Sequence, residues 1–486
     1  MVSNITLVRL APFITSSRNH PQDILPPFGV AYVASVLAKK GLKPSIIDAM
    51  AERIPPDRLA ALITGNKPDL IILDACSSGS SELTGLCERL SSATEARIWS
   101  MGHFASASPE VLLKNNPRIE GCIIEEPEET AVDLIGYLNE KQDLENVKGI
   151  AFYDKEKQEV VMTGKRDYIR DLDKLPPIDY DLLKLDKYRI YSAHMPFFRK
   201  VKWGFLLTSR GCPYGCIYCS ATLRQSYGAP FRSNSPASVV AQMEALINRY
   251  GVNAIAFQDD NFTFDKERAI GICNEIIRRK LKINWVIQAR ADCLDREILE
   301  SLKKAGCVYI GVGVESGSDR ILSLLQKDQS REKIIAAFRE IDRAGIFAIA
   351  FFMLGNPQET YSEMLETIKF AEELDPLMIQ VAFFTPYPGS KYYEALQGDK
   401  RSPDTQHHYN LVNSNFSAVP TEELIKLRAL FYLKYYLRPG YISRYLRHRA
   451  LYAIFNNNEL GLLYRTFKYL AFGQKGIMAE KMRRNG

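Results

Sequence analysis

Three cysteines stand out by spacing: Cys212, Cys216 and Cys219 form Cx3Cx2C in the run SRGCPYGCIYCS, residues 209–220. Three thiolates in one tight loop suit a soft metal site, and iron–sulfur clusters take thiolate ligands. Three ligands on a four-iron cluster leave one iron open to a substrate-like group, where a plain electron carrier uses four cysteines. Gly211 and Gly215 let the loop wrap closely, and Tyr218 is placed to pack near a bound cofactor. The competing reading is structural zinc, but that needs a fourth Cys or His, and no partner CxxC pair exists elsewhere. The other six cysteines (Cys76, Cys87, Cys122, Cys273, Cys293, Cys307) stand singly and read as small buried thiols. Nine cysteines in 486 residues, an odd number, argue against a disulfide scaffold and for a reducing cytoplasm.

Such a loop must be carried by elements around it. Strand-like runs at 205–209, 254–259, 284–288, 308–314, 348–354 and 379–385 alternate with helical patterns. This predicts a partial (β/α)6 barrel of the TIM type over residues 201–395, with its site at the C-terminal strand ends. Upstream, runs at 5–10, 45–48, 70–74, 97–101 and 121–124 alternate with helices, which predicts a Rossmann-like, doubly wound α/β domain over 1–140. Its ligand would sit in the loops 11–28, 49–55, 75–80, 102–109 and 125–129. Residues 141–200 are less regular and read as a linker holding a hairpin, 150–153 with 159–163.

Residues 396–486 read as a helical region. From 421 to 486 there are 13 Lys and Arg against 4 Asp and Glu, so the basic character of the chain lies in this tail. The tail reads either as a helical cap or, with Arg and Lys among Tyr, Phe and Leu, as a peripheral membrane contact. No RNA-binding module is recognisable, which weighs against a nucleic-acid partner. No apolar run reaches eighteen residues, so no membrane-spanning helix is expected, and the N-terminus reads as a first strand. The composition, 46% hydrophobic and 25% charged, is that of a folded soluble protein.

The cysteine spacing is similar to that of the radical S-adenosylmethionine superfamily, and the whole chain resembles its cobalamin-binding branch. The resemblance implies a 4Fe–4S cluster on Cys212, Cys216 and Cys219 whose open iron binds S-adenosylmethionine. One electron, from an external donor of flavodoxin or ferredoxin type, then yields a 5′-deoxyadenosyl radical. FQDDNFTFD resembles the second-strand carboxylate motif, with Asp259 or Asp260 receiving the methionine ammonium. GVGVESGSD resembles the fourth-strand motif, placing Glu315 and Ser316 near the ribose or methionyl group, and Arg290 is positioned similarly on the third strand. FFMLGNPQET and FFTPYPGS resemble the fifth and sixth strand ends.

PPFGVAYVASVLAKKGLKPSIIDA and GHFASASPEVLLKNNPRIEGCIIEEPEET resemble cobalamin-binding domains of that branch. Corrin contacts implied are Ser77, Ser78, Gly102, His103, Glu125 and Glu126. Two departures stand out: the DxHxxG motif that supplies an axial histidine is absent, and Pro127 replaces a glycine in EEPEE. The alternative is a cofactor-free Rossmann-like domain used for docking or substrate binding. The stretch FYLKYYLRPGYI resembles the anaerobic magnesium-protoporphyrin ester cyclase group. The leading expectation is a cobalamin-dependent radical methyltransferase acting on carbon or phosphorus of a small-molecule, peptide or lipid substrate. The alternative is a radical oxidoreductase, cyclase or rearrangement enzyme with cobalamin in a non-methylating role.

Overall fold

Apolar runs that end at helix-capping residues fold here as parallel strands with helices laid over them. The computed structural model describes residues 1–11, 23–76, 80–140, 143–190, 201–219, 227–396, 412 and 414–444. Strands β1 (Asn4–Arg9), β2 (Lys43–Asp48), β3 (Leu70–Asp74), β4 (Arg97–Met101) and β5 (Gly121–Ile123) lie parallel in the order β2-β1-β3-β4-β5. One face is covered by Val30, Val33, Ala34 and Leu37 of helix Phe28–Lys39, the other by Leu83, Leu86 and Leu90 of helix Ser80–Ser91. This order turns at β1 and β3, where open α/β sheets bind ligands. The hairpin expected in the linker instead extends this sheet: β6 (Ile150–Asp154) pairs antiparallel with β5, and β7 (Glu159–Met162) with β6. Ile150 and Ala151 are buried beside β5, which is why they join the sheet.

The second sheet is the half-barrel. Strands β8 (Trp203–Leu206), β11 (Ala254–Phe257), β12 (Asn284–Ala289), β13 (Cys307–Glu315), β14 (Phe347–Leu354) and β15 (Met378–Phe383) are parallel and adjacent in that order. The first strand stops short of the expected 205–209. Asp259 takes the Thr208 N–H at 2.6 Å, drawing the chain out of the sheet. Ser209–Arg210 (β9) then pairs antiparallel with Arg232–Ser233 (β10). Barrel helices begin at side chains that accept a first-turn N–H: Ser235, Asp265, Asp295, Ser330 and Thr360. Each cap contributes roughly 1 kcal/mol and fixes where a strand-end loop stops.

A half-barrel leaves β15 as an edge. Helix Thr421–Tyr436 covers it: Val381 N–H donates to Tyr432 Oη at 2.9 Å and Ile379 N–H to Tyr436 Oη at 3.0 Å. Tyr441 donates to the Leu377 carbonyl at 3.0 Å, and Arg438 and Arg444 pair with Asp375 at 2.8 and 2.6 Å. The membrane-contact reading of the tail therefore gives way to the cap over 421–444, because these tyrosines and arginines are occupied by the barrel. Residues 445–486 lie outside the described residues. Among the described residues no helix is long and apolar enough to cross a membrane.

Candidate active site

The cysteine loop leaves β9 through Gly211, whose φ of +82° is the left-handed conformation glycine permits. A Cβ there would lie 2.1 Å from the Pro230 carbonyl oxygen, so the loop presses against the chain that returns to β10. Farther on, Ile217 N–H donates to Leu325 O and Tyr392 N–H to Ile217 O, both at 3.1 Å, strapping the loop to the barrel. Cys216 is buried, and Cys212 and Cys219 are half-buried. Burial raises the Cys212 thiol, and pushes Cys219 up to about 12 with help from the charges of Asp260 and the other two cysteines. Such thiols become ligands when a bound cation displaces the proton.

Three groups from later strands meet this loop. Arg290, at the end of β12, points Nη1 at Cys216 Sγ (3.8 Å) and lies 3.5 Å from the centre of the Tyr214 ring. Two 3.0 Å bonds to Asp292 and one of 2.7 Å to Lys327 O fix its guanidinium. Glu315 ends β13 at φ +67°, after a register shift between Gly313 and Glu315 that re-aims its side chain. Its Oε1 accepts from Tyr218 Oη at 3.0 Å and from Lys327 Nζ at 2.9 Å, and Lys327 also reaches Tyr218 at 3.1 Å.

The acidic pair divides its work. Asp259 is saturated, accepting from Thr208 N–H (2.6 Å), Thr208 Oγ1 (2.7 Å) and Ser209 Oγ (2.8 Å). Asp260 makes no hydrogen bond among the described residues, and its charge is felt at Cys212 and Cys219. Burial, then the charge of Asp259, holds the Asp260 carboxyl well above the usual range. The Ser316 hydroxyl turns away from the loop to Thr367 Oγ1, 3.2 Å away, on helix Tyr361–Leu374.

At the strand ends of the first sheet, Gly102 follows β4 at φ +100°, and a Cβ there would lie 2.4 Å from Asp74 Oδ1. Burial raises Asp74 to about 6 and lowers the His103 imidazole to about 4, so His103 is neutral at physiological pH. The Glu125 and Glu126 side chains turn to partners outside the first sheet. Glu125 bonds Lys165 (2.8 Å) and Tyr168 (3.0 Å). Glu126 is filled by the Ile169 N–H (2.7 Å), Arg210 (3.0 Å) and Arg232 (2.7 Å), which leaves it nothing to offer a corrin. Pro127 opens helix Pro127–Glu140, a first-turn position where its missing N–H is harmless. Ser77 and Ser78 lie outside the described residues.

The Radical SAM superfamily model matches residues 206–371, the span from the end of β8 into the helix after β14. The uncharacterized methyltransferase PH0819 of Pyrococcus horikoshii is 30% identical over 85% of this chain and 88% of its own. The chain belongs to the radical S-adenosylmethionine superfamily. The anaerobic magnesium-protoporphyrin IX monomethyl ester cyclase of Rubrivivax gelatinosus is 29% identical over 80% of this chain and 69% of its own. Among solved structures, the cobalamin-dependent S-adenosylmethionine radical enzyme OxsB superposes with a TM-score of 0.73 at 18% identity, covering 100% of this chain and 75% of that one. The fold is that of OxsB.

For a radical S-adenosylmethionine enzyme the donor set fits. Three free cysteines share one loop, and the Arg290 guanidinium lies beside Cys216. Among the described residues no three His, Cys, Asp or Glu converge on a point for one metal ion. A four-iron cube spreads its ligands over its corners. At the first-domain edge, Gly102 lets the end of β4 pack directly on Asp74 and Ala75, where any side chain would clash. Sequence reasoning missed Lys327, which sits on a turn as a surface lysine would but is 5% exposed. It also passed over Cys293, half-buried and 3.4 Å from Tyr214 Oη.

The loop after β14 carries a buried acid. Glu359 is fully buried, accepts from Asn356 N–H (3.0 Å) and Nδ2 (3.1 Å), and is raised to about 8, mainly by burial. A carboxyl raised on folding leaves stability intact below its unfolded pKa of 4.5 and erodes it as pH climbs toward about 8. Glu359→Gln is expected to flatten that decline, by roughly 2 kcal/mol between about pH 6 and about pH 9. Unfolding midpoints of parent and variant at the two pH values check this; parallel declines would exclude it.

Proposed function

We propose that this enzyme is a cobalamin-dependent radical S-adenosylmethionine methyltransferase whose two cofactors meet where the two sheets turn their strand ends toward each other. The observation that carries the reading is that meeting: Tyr32, on the helix after β1, donates to Leu207 O at 3.0 Å, just past the end of β8. Likeness to OxsB along the whole chain and to a methyltransferase-named relative supports it. When bound, cluster and cobalamin supply one-electron cleavage of S-adenosylmethionine and a methyl carrier. Cys212, Cys216 and Cys219 hold the cluster, and Arg290 steadies it through Cys216. Asp260, which makes no hydrogen bond among the described residues, receives the methionine ammonium, while Asp259 anchors the start of the loop. Tyr218 and Glu315, tied by Lys327, wall the nucleoside side. Gly102 and His103 border the corrin. The substrate is a small molecule, peptide or lipid, and the electron comes from a flavodoxin- or ferredoxin-type donor.

Anaerobic reconstitution with cobalamin and methyl-labelled S-adenosylmethionine tests this without knowing the substrate. Transfer of label to reduced cobalamin, with S-adenosylhomocysteine formed in equal amount, is expected. Cobalamin that binds but takes no label would overturn methyl transfer and favour the cyclase or oxidoreductase reading, which the 29% identity to the ester cyclase supports.

A further inference from the structure

We propose that Arg210 is a positioning residue that fixes the cysteine loop at a set distance from the strand-end edge of the first domain. The inference rests on the two-cofactor reading above and adds what holds the two sites in register.

Arg210 stands two residues before Cys212 and its side chain is 2% exposed. It pairs with Glu126 at 3.0 Å and Glu128 at 2.6 Å, both from the first domain. Its guanidinium lies 4.9 Å from the Tyr32 ring centre and 4.7 Å from that of Tyr227. Arg232, directly across the β9–β10 ladder, shares Glu126 at 2.7 Å, so two arginines meet two carboxylates. Like charges opposite each other on a ladder repel, and the acids between them reverse that. Downstream, Gly211 is wedged on Pro230, so the loop cannot shift without Arg210. Upstream, Glu125 N–H donates to Ser106 Oγ at 2.9 Å, joining the acids to helix His103–Ala107 at the first-domain edge.

A buried ion network is a poor source of stability, since apolar packing of equal volume often does as well; its best-attested use is to set geometry. Here the connection runs from helix His103–Ala107 through Ser106 to the Glu125 backbone, and on through Glu126 and Arg210 to Cys212.

The test uses the full chain loaded with cluster and cobalamin, comparing parent, Glu128→Gln, Arg210→Lys, whose single ammonium lacks the fork that reaches Glu126 and Glu128 together, and a control, Lys157→Ala. Lys157 lies in an exposed pair with Glu145. The readout is the relaxation enhancement that the reduced cluster imposes on the paramagnetic Co(II) signal, which depends steeply on their separation. Expected is a several-fold loss in Glu128→Gln and Arg210→Lys at parental iron and cobalamin content, with the control unchanged. A variant that is folded by circular dichroism yet takes up less than half the parental iron also supports the proposal. If Glu128→Gln does not fold, Arg210→Lys decides alone. Parental enhancement in the folded variants overturns the proposal and leaves the functional reading standing. A parent that takes up no cobalamin overturns both.

Discussion

Cys216→Ala is expected to bring reductive cleavage of S-adenosylmethionine to background. Cys216 is the most buried of the three loop cysteines and the one that Arg290 addresses, 3.8 Å from its sulfur. Its loss removes a cluster ligand and the sulfur that Arg290 faces, while Asp292 and the Lys327 carbonyl still hold the guanidinium. The remaining two thiols would leave two irons open, which a four-iron cluster does not survive in a half-buried loop. The measurement is 5′-deoxyadenosine released from S-adenosylmethionine under dithionite, with iron and sulfide assayed alongside. Full deoxyadenosine formation by the variant would remove the cluster from this loop.

The second large effect separates two neighbours. Asp260→Asn is expected to weaken S-adenosylmethionine binding roughly 100-fold, the scale of losing one partner of a desolvated charge pair, while the cluster stays loaded. Asp259→Asn is expected to act elsewhere. Its carboxylate holds Thr208 and Ser209 through three bonds and lies 3.8 Å from Arg268, so that variant should lose iron and thermal stability. Equilibrium binding to the reconstituted proteins, read beside iron content, distinguishes them. Equal loss of iron in both variants, or unchanged binding in Asp260→Asn, would refute the division.

The sequence made the cluster loop legible because its chemistry is local: three thiols, two glycines and a tyrosine inside twelve residues. Both parallel sheets were equally readable, since alternating apolar runs and helices have few other ways to bury themselves. What escaped depends on partners far apart in the chain. Asp259 and Asp260 are adjacent and both lie past the end of β11, so only the path of that loop decides which of them turns back to Thr208. Glu126 was expected at a corrin through its place in the EEPEE segment. In the fold that segment ends β5 and opens a helix, and its acids reach across to Arg210, more than eighty residues away. Lys327 sits between two helices where lysines usually face water. Its burial follows from the bulge that turns Glu315 toward Tyr218, a distortion no periodicity announces.

The rim of the half-barrel at β15 has a consequence of another kind. Its free backbone groups are met by phenol oxygens from Tyr432 and Tyr436 and by the hydroxyl of Tyr441. An exposed strand rim is adhesive, open to any peptide or second copy that can add a strand. Aromatic residues serving as stoppers make that rim unavailable while leaving the barrel unclosed, so its mouth can stay wide enough for a bulky guest. Shortening the chain ahead of Thr421 would therefore produce a sticky barrel as well as a smaller one. What reads in the sequence as a surface-seeking tail is, in its first turns, the part that keeps one molecule from being stitched to the next.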